Sequence, residues 1–132
     1  MISLADLQRR IDAGDLSADA AIAQSLEATR AHENAIGAFV CHDANARAQS
    51  AGPLRGIAVG IKDIMDTADF PTEMGSPIYR SWRPRADAPV VAILKQAGAT
   101  IVGKTTTTAV ASRDPTAALN QRNPTHKPGG SE

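Results

Sequence analysis

The sequence predicts an α/β fold in which N-terminal helices are followed by part of a mixed or parallel sheet flanked by helices. Three observations carry that class. Apolar residues recur at helical spacing from Leu4 to about Glu33, and the run Gly56-Ile57-Ala58-Val59-Gly60-Ile61 is uncharged and β-branched, as in a short strand buried on both faces. A capped apolar helix after Asp87 then leads to a second apolar run, Thr100-Ile101-Val102. Strand, helical connection and strand make the right-handed parallel crossover unit, so residues 57–61 and 100–102 are expected in one sheet.

In chain order, Ser3 with Asp6 three residues on resembles a helix-starting box; Leu4, Leu7 and Ile11 share one face, and Gly14 stops the helix. Ser17 caps a second helix with Asp19 favourable in its first turn, and Ile22 and Leu26 form its apolar face. Residues 38–42 read as a short strand, and Asp43 as the cap of an alanine-rich helix that ends before Gly52-Pro53. The strand stopping at Lys62 is followed by residues 63–82, polar and without a sustained period, hence a long surface excursion with Tyr79 and Trp82 as packing anchors. Asp87 caps the next helix, with Pro89 in its first turn, Val90, Val91, Ile93 and Leu94 in its body and Gly98 just past its end. A helical lead-in, 1–51, thus precedes the start of a sheet core, 52–132, within one domain.

A length of 132 residues suits a single domain, and its fourteen basic and fourteen acidic residues show no block of like charge. That balance carries no footprint for nucleic acid or an anionic membrane, so a small molecule is the expected partner. No apolar run approaches a membrane span and no secretory leader pattern opens the chain, so a cytoplasmic location is expected. The single cysteine, Cys41, excludes an internal disulfide framework and agrees with a reducing compartment.

Lys62 stands at the exit of its strand, where ligands collect in open α/β sheets, although most lysines so placed simply reach water. Gly98-Ala99-Thr100-Ile101-Val102-Gly103-Lys104-Thr105 fits the phosphate-loop formula. A helix precedes its first glycine, however, and its middle residues favour extended structure, so a nucleotide loop is not expected there. Thr105, Thr106, Thr107 and Thr108 suit either strand-end and capping hydroxyls or the lining of a pocket. His32, His42 and His126 lack metal-ligand spacing with carboxylates or Cys41, so no metal is called for. Gly129-Gly130-Ser131 reads as a flexible tail or as a loop whose backbone approaches a ligand closely.

Several of these stretches occur together in one family. Gly56-Ile57-Ala58-Val59-Gly60-Ile61-Lys62-Asp63, Gly75-Ser76, Asp87-Ala88, Ala97 through Thr105, Asn123-Pro124 and Pro128-Gly129-Gly130-Ser131 resemble the amidase signature family, in that family's order and across essentially the whole chain. The N-terminal part is most similar to the family's bacterial malonamidases. The resemblance implies a hydrolase acting on a small-molecule carboxamide, with malonamate giving malonate and ammonia, and with no cofactor. It makes Lys62 the catalytic base and Ser131 the bridging serine of a Ser-cisSer-Lys triad. In the implied mechanism Lys62 draws a proton through Ser131 from a second serine, which attacks the amide carbonyl. The relay returns the proton to the departing ammonia, and water releases the acid from the acyl-enzyme.

In that family the nucleophilic serine and the oxyanion-hole backbone follow in a second glycine-rich segment downstream, whereas here Glu132 stands where the family continues with another serine. The expectation is an N-terminal portion of an amidase, truncated before its nucleophile and inactive alone, with a homo-oligomer or a complementing C-terminal part as partner. The alternatives are a non-catalytic remnant or interaction module and, less favoured by context, a nucleotide binder through residues 98–105.

Overall fold

The computed structural model describes residues 3–112 and 115–128. Helix α1 (Leu4–Asp12) starts where the Ser3 hydroxyl accepts from the Asp6 N–H. Helix α2 (Ala18–Ile36) starts where Ser17 accepts from the Ala20 N–H at 3.1 Å, and Gly37 ends it in the left-handed conformation. Both caps satisfy N–H groups that a first turn leaves unpaired. Leu7 and Ile11 of α1 close over Leu16, Ala21 and Ile57, and Ile22 and Leu26 of α2 pack on Val102. No helix among the described residues is long and apolar enough to cross a membrane.

Three strands form one mixed sheet: β1 (Phe39–His42), β2 (Ala58–Lys62) and β3 (Thr100–Thr105), in the order β1-β3-β2. β3 runs parallel to β2, as the crossover predicts, and antiparallel to β1. The covered strand is β3, whose first five residues are buried. β2 lies at an edge with Gly60 exposed, so it is not buried on both faces as its apolar run suggests; the chain supplies a neighbour on one side only. The 98–105 run is likewise a turn and a strand, with Gly98 at φ 92 following the helix α3 (Pro89–Gln96).

Val59 pairs with Ile101 but Gly60 pairs with Gly103, so Val102 is an extra residue in β3. Such a bulge reverses the facing of everything beyond it. Val102 therefore faces α2, while Lys104, paired with Ile61, faces α3 and the cluster of Ile61, Val91 and Ile101. Thr105, paired with Lys62, returns to the α2 face.

Three local expectations fail. Residues 43–51 form turns and irregular chain rather than a helix. The Asp43 carboxylate turns back to accept from the Asn45 N–H at 2.8 Å, and Ala46 and Ala48 pack on the Val102 cluster as irregular chain. Asp87 does not cap α3, whose N-cap is Ala88 without a side-chain bond; its carboxylate accepts instead from the Ala68 N–H and from Lys95 at 2.8 Å each. Tyr79 and Trp82 are 38% and 51% exposed, so neither anchors the excursion; buried polar groups do so instead.

Candidate functional site

Parallel strands β2 and β3 end side by side at Lys62 and Thr105. Beyond their carboxyl ends lies a pocket of about 830 Å³, walled on one side by Ala28, His32 and Ile36 of α2 and on the other by chain after β3, including Asn120, Arg122, Lys127 and Pro128. Lys62 lines it, half-buried, at the strand exit where an α/β sheet exposes a ligand site. The lysine is there because β2 is short: the Met65 N–H closes a turn onto the Lys62 carbonyl at 3.0 Å and redirects the chain.

All four threonines line this pocket, and they also serve the backbone, so both readings of their hydroxyls hold. Thr106 donates to the Gly37 carbonyl at 3.1 Å, and Thr108 to the Ser112 carbonyl at 2.6 Å. The buried Thr107 hydroxyl has no hydrogen-bond partner among the described residues. A buried hydroxyl left unmet costs free energy that a ligand acceptor would recover. Ser131 and the glycines before it lie outside the described residues.

A second group of polar residues sits across the sheet. Lys104 and Asp63 are 0% and 1% exposed and approach to 3.3 Å. Burial pushes the Lys104 amine below the ordinary lysine range, against the opposing pull of Asp63, Cys41 and Asp66. Burial likewise raises the Cys41 thiol. Lys104 Nζ also donates to Thr72 Oγ1 at 2.6 Å, to the Met65 carbonyl at 3.0 Å and to the Pro71 carbonyl at 3.2 Å. The surface excursion expected over residues 63–82 is thus folded around a buried ammonium. Sequence reading met Lys104 only as part of a phosphate-loop pattern. A lysine inside an apolar, β-branched strand is itself a signal, because such a charge requires a partner.

Comparison with known proteins matches the Amidase family model over residues 5–131. The glutamyl-tRNA(Gln) amidotransferase amidase-type chain of Rhodopirellula baltica is 37% identical over 148 residues, covering 98% of this chain and 30% of that protein. An amidase of Pseudomonas putida is 34% identical, covering 97% of this chain and 30% of the relative. The crystal structure of the corresponding glutamyl-tRNA(Gln) amidotransferase chain from Thermotoga maritima superposes with a TM-score of 0.76 at 27% identity, over 86% of this chain and 26% of that one. The chain thus spans about 30% of the length of these curated relatives.

Proposed function

This chain belongs to the amidase family, and on that premise we propose that it supplies the proton-transferring part of a carboxamide-hydrolysing site, with Lys62 as general base. The observation that carries the reading is Lys62 itself, delivered into a hydroxyl-lined pocket at the common end of two parallel strands. Ser131 is the relay. Pro128 lines the same pocket, and three further residues span up to about 10 Å, which brings Ser131 within reach of it. The nucleophilic serine and the oxyanion donors are assigned to residues outside 1–132, so the described pocket binds and primes but does not complete the acyl transfer.

Malonamate suits the charges of the pocket. Its described lining includes Lys62, Arg122 and Lys127 and no carboxylate, which favours an amide carrying an anionic group. A complementing C-terminal part is the proposed partner: β1 and β2 are the outer strands of the sheet and offer edges on which further strands can pair. Residues 1–51 are the lead-in and 52–132 the beginning of the catalytic core, in a protein of the cytoplasm.

Ammonia release from malonamate tests the reading. Residues 1–132 alone are expected to give none above background. A fusion that continues with the downstream serine-bearing segment of a related amidase is expected to turn over, and Lys62→Ala to reduce its kcat by about 100-fold or more, the range of general acid–base catalysis. Turnover by the chain alone, lost on Lys62→Ala, would refute its dependence on a second part. A fusion indifferent to Lys62→Ala would refute the base.

A further inference from the structure

Lys104 and Asp63 lie on the sheet face opposite the pocket and take no part in the proposed relay, yet the path from them to Lys62 is short. The acceptors around Lys104 Nζ, namely Thr72 Oγ1, the Met65 and Pro71 carbonyls and the Asp63 carboxylate, all belong to the stretch that begins one residue after Lys62. The Asp63 carboxylate accepts in turn from the Glu73 N–H at 3.2 Å, and the Asp63 carbonyl from the Met74 N–H at 2.9 Å. Met65 is the link. Its carbonyl is held by Lys104, and its own N–H donates to the Lys62 carbonyl at 3.0 Å. On the other side, the Asp63 N–H donates to the Thr105 carbonyl at 3.0 Å. The peptide groups around Lys62 are therefore gripped by β3 and by a turn that closes on the Lys104 ammonium.

Space-filling alone does not call for this arrangement. Replacing a buried ion pair by apolar groups of similar volume is often neutral or stabilising, so the pair adds direction rather than bulk. An ammonium with several aimed hydrogen bonds fixes where the Met65 and Pro71 carbonyls point, which an apolar side chain cannot do.

We propose that Lys104, together with Asp63 and Thr72, is a positioning cluster that sets the backbone at Lys62 and thereby holds the Lys62 amine at its place in the pocket. The inference rests on the reading of Lys62 as the base, but it is tested without turnover. The chain has only four lysines, Lys62, Lys95, Lys104 and Lys127, so a sample carrying ¹³C at lysine Cε shows four signals. Amine labelling followed by mass spectrometry reports each lysine separately.

Three variants grade the perturbation: Thr72→Val, which keeps shape and loses the hydroxyl; Lys104→Met; and Asp63→Asn with Lys104→Met, which leaves no buried charge unpaired. In folded Thr72→Val and in the double variant, the Lys62 signal is expected to move and its labelling rate to change by threefold or more, with Lys95 and Lys127 unchanged. A Lys62 signal and rate equal to those of the parent in a folded variant would overturn the proposal. So would unfolding of all three, since the cluster would then have no effect on Lys62 separable from folding. If Lys62 proves indifferent to the cluster while the fusion still depends on Lys62, the positioning idea falls and the base stands. If Lys62 responds while the fusion ignores Lys62→Ala, positioning stands and the base falls.

Discussion

Lys62 and Lys104 occupy neighbouring strands one register step apart, yet their surroundings are opposite. Lys62 ends an edge strand and lines a pocket beside hydroxyls and other cations. Lys104 sits in the middle strand, fully buried, with a carboxylate, two carbonyls and a hydroxyl converging on it. The extra residue Val102 decides which lysine goes where: without it, the alternation of β3 would turn Lys104 toward α2 and the pocket side. The same side chain is thus a buried fastener or a candidate base according to the face that the bulge assigns and the acceptors waiting there.

The largest expected effect is the stability gap between the two. Lys104→Met leaves Asp63 buried without its cation and is expected to cost about 3–5 kcal/mol in urea unfolding. Lys62→Met, at a half-exposed strand end, is expected to cost no more than about 1 kcal/mol. Equal losses would erase the distinction.

A smaller effect is expected from Gly103→Ala, which attacks the middle strand without touching either lysine. A Cβ at that position would lie 2.4 Å from the Cys41 carbonyl oxygen and 2.8 Å from the His42 Cα, so β1 must move off β3. A loss of about 1–3 kcal/mol is expected, with faster reaction of Cys41 toward thiol reagents as its strand loosens. Unchanged thiol reactivity in a destabilised variant would place the damage elsewhere.

The smallest effect concerns a third lysine, intermediate in exposure. Lys95 of α3 bonds Asp69 and Asp87 and so ties the excursion back to the helix. Burial opposes the charge on Asp87, but the bond from Lys95, the Ala68 N–H and the Lys95 charge outweigh it and hold the carboxyl below its ordinary value. Burial also opposes the charge on Lys95, and the two carboxylates outweigh it and hold the amine above its ordinary value. The Asp87 contribution is therefore present above the ordinary carboxylate pKa and lost as pH falls through the lowered one. The Lys95 contribution is present below the ordinary lysine pKa and lost as pH rises through the raised one. Asp87→Asn is expected to remove about 1 kcal/mol at neutral pH and to flatten part of the acid limb of a stability–pH curve, a limb that would stay unchanged if the pair contributed nothing.

What was legible in the sequence was local. Ser3, Ser17, Gly37 and Gly98 mark ends through bonds to residues a few positions away, and the parallel pairing of β2 with β3 follows from the helix between them. Lys62 could be placed because a strand exit is a local event. Asp43 and Asp87 misled because a carboxylate before an apolar stretch has other uses: the first closes its own turn, the second meets Ala68 and Lys95. Lys104 was hidden because its acceptors lie more than thirty positions away, and because the Val102 bulge leaves no mark in composition.

The strand at the centre of the sheet is the last of the three to leave the ribosome. Thr106 bonds Gly37 across 69 positions of sequence, and neither outer strand has a partner until β3 has been made. During synthesis the first hundred residues are therefore two helices and two orphan strands, and the sheet closes in a single late step when residues 100–105 slot between them. Until that moment the emerging chain has no sheet to bury its apolar strands, which makes the interval before β3 appears the one in which a chaperone would have most to hold.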